Sequence, residues 1–392
     1  MTTTVGTGVS HHRNPRVAAQ EAVREALATS GIITPSFVFV FATVGYNQHT
    51  LIKAVREAAG GAPLSGCSGA GVIIGAEPNE SNFAVAIMAF HSNEITFRHG
   101  LITGMKESEY AGAKVAQSIN PVDDDARSLF LFPDGLTASM DRFLHSLEIN
   151  LPVKRHLPIF GGAAGDNLEY ERTYQYCDAE VTSDGVAWAL MSGEVKVASS
   201  CGHGCVPIGI DHTLTRVEGQ TVLEIDHRPA LEVFHEYLTV EDMTSWLTVI
   251  SSLPFGFRSL NGVDQYDRYE VYLPMSQDIH KGSVSLPICV DEGTVVRLMR
   301  RDYEKHLTSV DLLAEHLNRQ LAGQKPHAIF HFECSARGRS FLRDEPKLRM
   351  LRRLHEQLPE APRVGFYSYG ELAPVNDHNI FHHFTGVITA LF

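Results

Sequence analysis

The chain has 392 residues, and its 33 Lys and Arg against 46 Asp and Glu give a formal net charge of −13. Hydrophobic residues make up 44% of it, which indicates a globular chain of about two or three domains with a sizeable core. The acidic balance, with no basic run to offset it, argues against a nucleic-acid binder.

Nothing in the sequence predicts a membrane or secretory protein. It lacks the run of about 18 apolar residues that a spanning helix needs, and its first residues lack the apolar region of a signal peptide. The six cysteines do not have the spacing of a small disulfide scaffold, which favours reduced thiols. We therefore expect a cytoplasmic location and no membrane insertion.

The first predicted elements are a helix and three strand–helix–strand units. Residues 1–34 form an N-terminal segment whose apolar positions recur at helical spacing over 16–29. Apolar strand, helix and second strand then follow over 37–71, again over about 128–167, and again over 327–371. This pattern indicates parallel strands joined by right-handed crossovers. Each unit ends in a glycine-rich loop, at the carboxyl end of a strand, where open α/β sheets usually bind ligands.

The rest of the chain is predicted to be mainly strands. One helix is expected over 108–118 and another over about 308–321, and a final strand over 381–392. We place a domain boundary near residue 224, which gives one domain over 35–223 and a second over 224–392. The predicted fold class is α/β, with two domains of mixed β-sheets flanked by helices.

The three glycine-rich loops carry the first candidate ligand contacts. These are Cys67 and Ser68 in the first loop, Gly161, Gly162, Asp166 and Asn167 in the second, and Tyr367 and Glu371 in the third. Glycine lets another atom approach the main chain closely, so the loops either hold a small molecule or make tight turns against a neighbouring backbone. Asp166 and Glu371 could share a cleft and hold the amine of an amino-acid-like ligand, or each could accept hydrogen bonds within its own turn.

Asp134 also follows a predicted strand. It is a candidate ligand contact, and it could equally cap the helix expected over 137–148.

Cys334 is the candidate nucleophile of the chain. It follows a strand directly, with Arg337 and Arg339 close behind. Neighbouring guanidinium groups favour a thiolate, and Arg337 could clamp an anion through its planar fork. A buried structural cysteine, with the arginines paired to acids such as Glu371, fits the same residues, and no histidine can be placed beside the thiol.

The run Cys201-Gly202-His203-Gly204-Cys205 places two thiols and an imidazole close together. Zinc sites need four ligands, and no second pair stands nearby. His203, with glycine on both sides, could reach a haem iron or could be a packed histidine of a strand end. The other candidate axial ligands are His212, His227 and His382.

Seven motifs in order resemble the FIST family, with its FIST-N and FIST-C domains, over about residues 35–392. They are SGCSGAG, FPDGL, PIFGGAAGDN, HGCVPIG, LEIDHRPALEVF, FECSARGR and GFYSYGELAP. After Cys67 the chain reads Ser68-Gly69-Ala70-Gly71-Val72, where the family pattern leads us to expect an acid, so the first loop lacks that polar group.

The resemblance implies an intracellular sensory protein that binds a small ligand and regulates a separate signalling partner. Some bacterial members are haem-binding nitric-oxide sensors that regulate histidine kinases, so haem is the implied cofactor, and a histidine kinase or a cyclic-nucleotide signalling enzyme is the implied partner. Two other functions stay open. One is a hydrolase or acyl transferase that uses Cys334, and the other is a protein-interaction scaffold.

Overall fold

A computed structural model describes residues 3–151, 156–238, 253–258, 269–375 and 377–392. Its first part contains two copies of the same succession of elements. Repeat one (3–92) consists of β1 Thr3–Ser10, α1 Pro15–Ser30, β2 Phe37–Ala42, α2 Gln48–Ala58, β3 Leu64–Ser68, β4 Val72–Ile74, β5 Glu77–Asn79 and β6 Val85–Ser92. Repeat two (95–193) consists of β7 Ile95–Thr103, α3 Ser108–Ser118, β8 Ala126–Pro133, α4 Met140–Asn150, β9 Ile159–Gly162, β10 Gln175–Cys177, β11 Glu180–Thr182 and β12 Gly185–Gly193.

The third copy is interrupted after its first strand. That strand is β13 Val197–His203. The interruption, which we call the inserted sheet, consists of β14 Cys205–Glu218, β15 Thr221–Ile225, β16 Arg228–Pro229, α5 Ala230–His235, β17 Phe255–Arg258, β18 Tyr269–Tyr272, β19 Ser276–Asp278, β20 Ser283–Ser285 and β21 Val295–Arg301. Repeat three then resumes with α6 Tyr303–Leu321, β22 Ala328–Cys334, α7 Asp344–Gln357, β23 Arg363–Ser368, β24 Glu371–Val375, β25 His378–His382 and β26 Thr385–Leu391.

The three repeats build three six-stranded sheets with the same internal order. The orders are β1-β6-β2-β3-β10-β11, β7-β12-β8-β9-β24-β25 and β13-β26-β22-β23-β4-β5. In each sheet one pair is parallel, and these pairs are β2 with β3, β8 with β9 and β22 with β23. A helix joins the two strands of each pair, so the pairs are the three strand–helix–strand units that the sequence predicts.

Each repeat gives a short hairpin to the sheet of another repeat. The β4-β5 hairpin of repeat one pairs with β23 of repeat three, and β24-β25 of repeat three pairs with β9 of repeat two. The β10-β11 hairpin of repeat two pairs with β3 of repeat one, which closes the cycle. No repeat therefore completes its own sheet, and we expect the three to fold together.

Phenylalanines from the three central strands meet in one core cluster. Phe39 of β2, Phe130 of β8 and Phe330 of β22 form a triangle with ring centroids 5.5, 4.9 and 5.0 Å apart. Because successive side chains of a strand point to opposite faces, the valines between the phenylalanines of β2 pack under α1 and α2 instead. Both faces of β2 are buried, which explains why it reads as a continuous apolar run.

The inserted sheet stands where the other repeats have a short connection. Residues 11–14 and 104–107 link the first strand to the first helix in repeats one and two, whereas 204–302 do so in repeat three. The boundary predicted between 223 and 224 falls within β15, and three of the four sheets combine strands from both sides of it. That boundary stays a prediction. In the described part of the chain no helix is long and apolar enough to cross a membrane.

Candidate functional site

The three glycine-rich loops bind one another. Ala70 N–H donates to Tyr367 O at 2.8 Å, Ala163 N–H to Gly370 O at 2.8 Å, and Gly165 N–H to Ser68 O at 3.0 Å. We call residues 68–71, 163–165 and 367–370 the loop ring. Its backbone groups satisfy each other, so the loops make tight packed turns and not an open cradle.

The glycines of the second loop permit this close approach. A Cβ on Gly165 would lie 2.8 Å from Ala70 N, and one on Gly161 would lie 2.0 Å from Leu131 O. Gly161 also has a φ of 138°, which L side chains rarely adopt. Gly162 pairs with Glu371 in the β9-β24 ladder. The two glycines proposed as ligand contacts therefore hold neighbouring strands together.

Cys67 and Ser68 are both buried beside the loop ring. The Ser68 hydroxyl donates to Gly165 O at 2.7 Å and accepts from Tyr174 N–H at 2.9 Å. Cys67 is fully buried, and that burial raises its thiol pKa well above the ordinary value. In this arrangement Ser68 positions the loops and Cys67 belongs to the central core.

Asp166 and Asn167 organise the turn after the second loop. Asp166 accepts from the backbone N–H groups of Tyr170, Glu171 and Arg172 at 2.9, 2.6 and 2.8 Å. Its carboxylate also accepts the Tyr369 hydroxyl. Both oxygens are therefore occupied from within the chain, and of the two alternatives for Asp166 the geometry favours the turn.

Asn167 joins repeat one to this turn. Its Oδ1 accepts Val44 N–H at 3.1 Å, and its Nδ2 donates to Ser81 O at 3.3 Å. Its backbone oxygen accepts from the Arg339 guanidinium. Asn167 is buried, and its side chain thus fixes the fold around the site.

Asp134 binds the backbone that follows β8. Its Oδ1 accepts from Leu136 N–H at 2.7 Å and Thr137 N–H at 3.0 Å, and its Oδ2 accepts from Asp184 N–H at 2.9 Å. It thereby stabilises a turn rather than capping α4, whose first residue is Met140.

Arg337 is paired inside the protein. It is 0% exposed, and its Nε donates to Glu333, whose other oxygen contacts His331 Nε2 at 2.6 Å. Burial alone would raise the pKa of Glu333, but Arg337 and His331 hold it at about 2. Its Nε pairs with Glu333 and its Nη2 donates to Ser309 Oγ at 3.3 Å, so the guanidinium expected to clamp an anion is held inside the core. Tyr367 lies fully buried next to this group.

A cavity of about 290 Å³ lies between the carboxyl ends of the core strands and the inserted sheet. From the core come Gly135 and Leu136 after β8, Leu168 and Tyr170 after the second loop, and Tyr369 in the third. Cys334, Ser335, Ala336 and Ser340 follow β22, and His383 and Phe384 stand between β25 and β26. Leu273 and Met275 of the inserted sheet form the opposite wall.

Two stacked tyrosines form one wall of the cavity. The rings of Tyr170 and Tyr369 are 5.1 Å apart and nearly parallel, at 17°. The Tyr369 hydroxyl accepts from Leu168 N–H at 2.9 Å while it donates to Asp166. Tyr369 is therefore fixed, whereas Tyr170 is 50% exposed at the mouth. Asp166 contributes to the cavity by holding this wall.

Cys334 is the one residue of the predicted set that lines the cavity. Its sulfur accepts from Phe384 N–H at 3.2 Å. Burial and the nearby Glu371 raise its pKa well above the ordinary value, so it is a protonated thiol at neutral pH. The arginines after it do not lower that pKa, and the expected thiolate lacks its physical basis.

Glu371 lies fully buried behind the thiol. It accepts from the Ser368 hydroxyl at 2.6 Å and from Thr385 N–H at 3.3 Å. Burial raises its pKa well above the ordinary value, against the hydrogen bonds from Ser368, Thr385 and Cys334. The cavity wall therefore has the protonated Cys334 thiol, with the Glu371 carboxyl buried behind it.

His383 was not predicted, although it stands in a histidine doublet before the last strand. Its Nδ1 accepts from Leu273 N–H at 3.1 Å, so the neutral ring carries its hydrogen on Nε2. Burial and the neighbouring His382 lower its pKa to about 3. The ring is therefore neutral at pH 7, and it connects the core to the inserted sheet.

The histidines proposed as haem ligands lie elsewhere. His203 accepts Cys205 N–H on Nδ1 at 3.1 Å and donates from Nε2 to Tyr269 O at 3.1 Å. His382 Nε2 bonds Ala373 O at 3.2 Å, and His227 is exposed. Neither ring nitrogen of His203 has a free lone pair, so an iron would have to displace a backbone bond.

His212 differs from the other three. It is 3% exposed, and its Nδ1 lies 2.7 Å from Asp226 Oδ2. Its Nε2 is buried with no hydrogen-bond partner. Metal-binding histidines use this arrangement, with a carboxylate on one nitrogen and a lone pair on the other. His212 belongs to β14 and does not line the cavity.

Two family models cover most of the chain. The FIST N domain matches residues 36–228, and the FIST C domain matches residues 230–374. The chain therefore belongs to the FIST family, whose domains are of the sensory, signal-transduction type, and the resemblance of the seven motifs is confirmed.

Two of the relatives are named as uncharacterized proteins. An uncharacterized protein of Mycobacterium tuberculosis (strain CDC 1551 / Oshkosh) is 25% identical over 97% of both chains. An uncharacterized protein of Methanocaldococcus jannaschii is 27% identical over 84% of this chain and 68% of its own length. Among solved structures, a chorismatase aligns with 100% of this chain and 99% of its own at 8% identity, with a TM-score of 0.36. At that score the likeness carries no argument.

Proposed function

We propose that this protein is a sensor that binds a small, neutral, largely apolar or aromatic ligand in the cavity and regulates a separate signalling partner. The observation that carries the proposal is the position of the cavity. One wall comes from the core loops and the other from Leu273 and Met275 of the inserted sheet. A bound ligand would therefore touch both the core and the inserted sheet.

The lining determines the chemistry of the ligand. Its described side chains are aliphatic, aromatic, hydroxyl, thiol or neutral imidazole, and none carries a charge at pH 7. A charged ligand would lose hydration without a counter-ion, which is costly. Hydrogen bonds are available from the His383 Nε2–H and the cavity hydroxyls. The volume is at the small end of the roughly 300–1,000 Å³ typical of small-molecule sites.

An amino-acid-like ligand is less well supported. The amine was expected to bind between Asp166 and Glu371. Asp166 has its oxygens filled by backbone donors, and burial raises the pKa of Glu371 well above its ordinary value, which disfavours the charge that would hold an amine. Neither residue lines the cavity. The two acids therefore support the walls, and the ligand meets the tyrosines and Cys334 instead.

Signalling would follow from contact with both bodies. The ligand shifts the inserted sheet relative to the core by the difference in its affinity for the two arrangements. The hydrogen bond from Leu273 N–H to His383 joins the inserted sheet to the core. A movement of the sheet would lengthen or break this bond. A histidine kinase or a cyclic-nucleotide signalling enzyme is the partner that the family resemblance implies.

Thermal denaturation with a library of small neutral aromatic compounds tests the proposal. A ligand at 100 times its Kd stabilises the native state by about 2.7 kcal/mol. Met275→Trp should abolish the Tm increase, because Met275 is 47% exposed on the cavity wall and indole would fill the opening. Ile279→Trp is the matched control, since Ile279 is 75% exposed and outside the lining.

The two variants separate the outcomes. A Tm increase that is lost in M275W and kept in I279W supports the cavity. An increase that M275W retains, or no hit in a library of this chemistry, contradicts it.

A haem-based sensor is the second candidate, and His212 is the observation that favours it. Haem would supply an iron that binds nitric oxide, and His212 would hold it with Asp226 orienting the ring. After haem reconstitution, His212→Ala should lose the Soret band while His203→Ala keeps it. If the Soret band disappears in H203A and remains in H212A, or if the wild type takes up no haem, this assignment is ruled out.

A further inference from the structure

A histidine, a cysteine and an aspartate meet on the side of the molecule where repeats one and two join. His99 lies on β7, Cys177 ends β10, and Asp178 begins the tight turn to β11. One ligand atom from each, a ring nitrogen, the sulfur and a carboxylate oxygen, lies within 4.8 Å of the other two. All three residues are half-buried, so solvent ions can reach them.

The spacing is close to that of a tetrahedral metal site. Zinc binds nitrogen, oxygen and sulfur at about 2.0–2.3 Å, which places neighbouring ligand atoms roughly 3.3–3.8 Å apart. His99 Nε2 and Asp178 Oδ1 are already 3.2 Å apart. The Cys177 sulfur lies within 4.8 Å of both atoms, so it has to approach by up to about 1 Å to reach tetrahedral spacing.

The backbone holds Asp178 in place for this contact. Its φ is 54°, in the left-handed region, and its N–H donates to Leu64 O at 3.0 Å. Its Oδ1 accepts Leu64 N–H at 3.3 Å. The carboxylate is therefore positioned by β3, and the same Oδ1 that faces His99 keeps a second lone pair for a cation.

Arg56 is the cation now nearest to that carboxylate. Its Nε lies 3.8 Å from Asp178 Oδ1, and its side chain is 39% exposed. That separation is longer than a hydrogen bond, and a transition metal with three ligands binds far more strongly than such a pair. Arg56 competes with a metal but does not exclude it.

The three side chains lie in a negatively charged environment. Glu180 is opposite Cys177 in the β10-β11 pair and exposed. Asp178 and Glu180 thus place two carboxylates beside the Cys177 thiol. The same carboxylates attract a divalent cation, and Glu180 or water can take a fourth position.

We propose that His99, Cys177 and Asp178 bind a divalent transition-metal ion, of which Zn²⁺ suits the mixed nitrogen, sulfur and oxygen set best. The ion would join β7 of repeat two to the β10-β11 hairpin, which completes the sheet of repeat one. The proposed ligand cavity lies elsewhere, so this inference is independent of the sensor function.

Cobalt provides the test, because its complexes with thiolate show a charge-transfer band that spectroscopically silent zinc lacks. Metal-free full-length protein is titrated with Co²⁺, and then with Zn²⁺ in competition. We expect one equivalent to bind with a thiolate band, and Zn²⁺ to displace it. Zn²⁺ should also raise the Tm of the wild type, since it binds only the folded site.

Two ligand variants and one control make the assignment specific. Cys177→Ser should remove the thiolate band, and His99→Gln should weaken Co²⁺ binding at least about tenfold. Cys289→Ser is the matched control because Cys289 is exposed and far along the chain, and it should change neither. Circular dichroism checks that each variant is folded. If C177S does not fold, the loss of Co²⁺ affinity in H99Q provides the test instead. No thiolate band in the wild type, a band that persists in C177S, or one that C289S removes would overturn the proposal.

Discussion

Arg337→Met tests whether Arg337 stabilises the fold instead of clamping an anion. Arg337 and Glu333 are both within 1% of full burial. Methionine nearly matches the length of the arginine but has no charge, so Glu333 would lose its cation in a desolvated place. Removing one partner of a buried pair costs about 3–5 kcal/mol.

The lowered pKa of Glu333 gives a second value for the free energy that this pair contributes to stability. It stands at about 2 against the ordinary 4.5, and at 1.36 kcal/mol per unit this corresponds to about 3 kcal/mol. Because the folded pKa is the lower one, this stabilisation is complete above pH 4.5 and is lost as the pH falls towards 2. In R337M the carboxylate can take up a proton instead, so the deficit should shrink on acidification.

Urea unfolding at pH 7 and pH 5 measures these differences. We expect R337M to lose about 3–5 kcal/mol at pH 7 and less at pH 5, and E333Q/R337M to recover part of the loss. Arg353→Met is the matched control, since Arg353 pairs with Asp311 at 2.5 Å but is 51% exposed, which predicts a loss below about 1 kcal/mol. An R337M loss no larger than that of R353M would refute the buried-pair reasoning.

Three further changes have expected outcomes. Phe330→Ala should cost about 3–5 kcal/mol in urea unfolding, because its ring touches Phe39 and Phe130 at 5.0 and 4.9 Å; a loss below 1 kcal/mol would contradict this core cluster. Tyr369→Phe should cost about 1–3 kcal/mol and weaken ligand binding, because Leu168 N–H loses its acceptor; unchanged binding would contradict the wall. His383→Gln should flatten the loss of stability with falling pH between about 6.5 and 3, by up to about 1.4 kcal/mol per pH unit, because burial lowers its pKa to about 3; an unchanged slope would contradict this.

The core was predictable from local sequence. In the run FVFVFA of β2, every residue is buried, and β8 and β22 carry alternating phenylalanines in the same way. A buried parallel strand needs apolar side chains on both faces, so the three units stand out without knowledge of the fold. The end of α1 at Gly31, with a φ of 73°, follows from the same kind of local rule.

The exchange of hairpins was not predictable. β4 and β10 have three residues each and no period to read. Their partners, β23 and β3, lie far along the chain. Pairing of this kind is decided by tertiary packing, which a single sequence does not display.

The cavity lies at strand ends that the sequence singles out, but most of its lining residues are not among those that the sequence singles out. Asp134 and Asp166 do lie at the carboxyl ends of strands, yet short acidic side chains in turns meet nearby backbone N–H groups first, and both are used in this way. The cavity is lined instead by residues such as Met275 and His383. They come from segments far apart in sequence, with no motif that singles them out.

Hydrogen–deuterium exchange with the strongest compound from the thermal screen tests the sensor proposal most directly. We expect slower exchange in peptides that contain 168–170, 334–336 and 273–275, because the ligand would touch the core and the inserted sheet together. The proposal requires protection in both the core and the inserted sheet, and no such protection in M275W. Protection confined to the core or to the inserted sheet alone, or centred away from these residues, would contradict it.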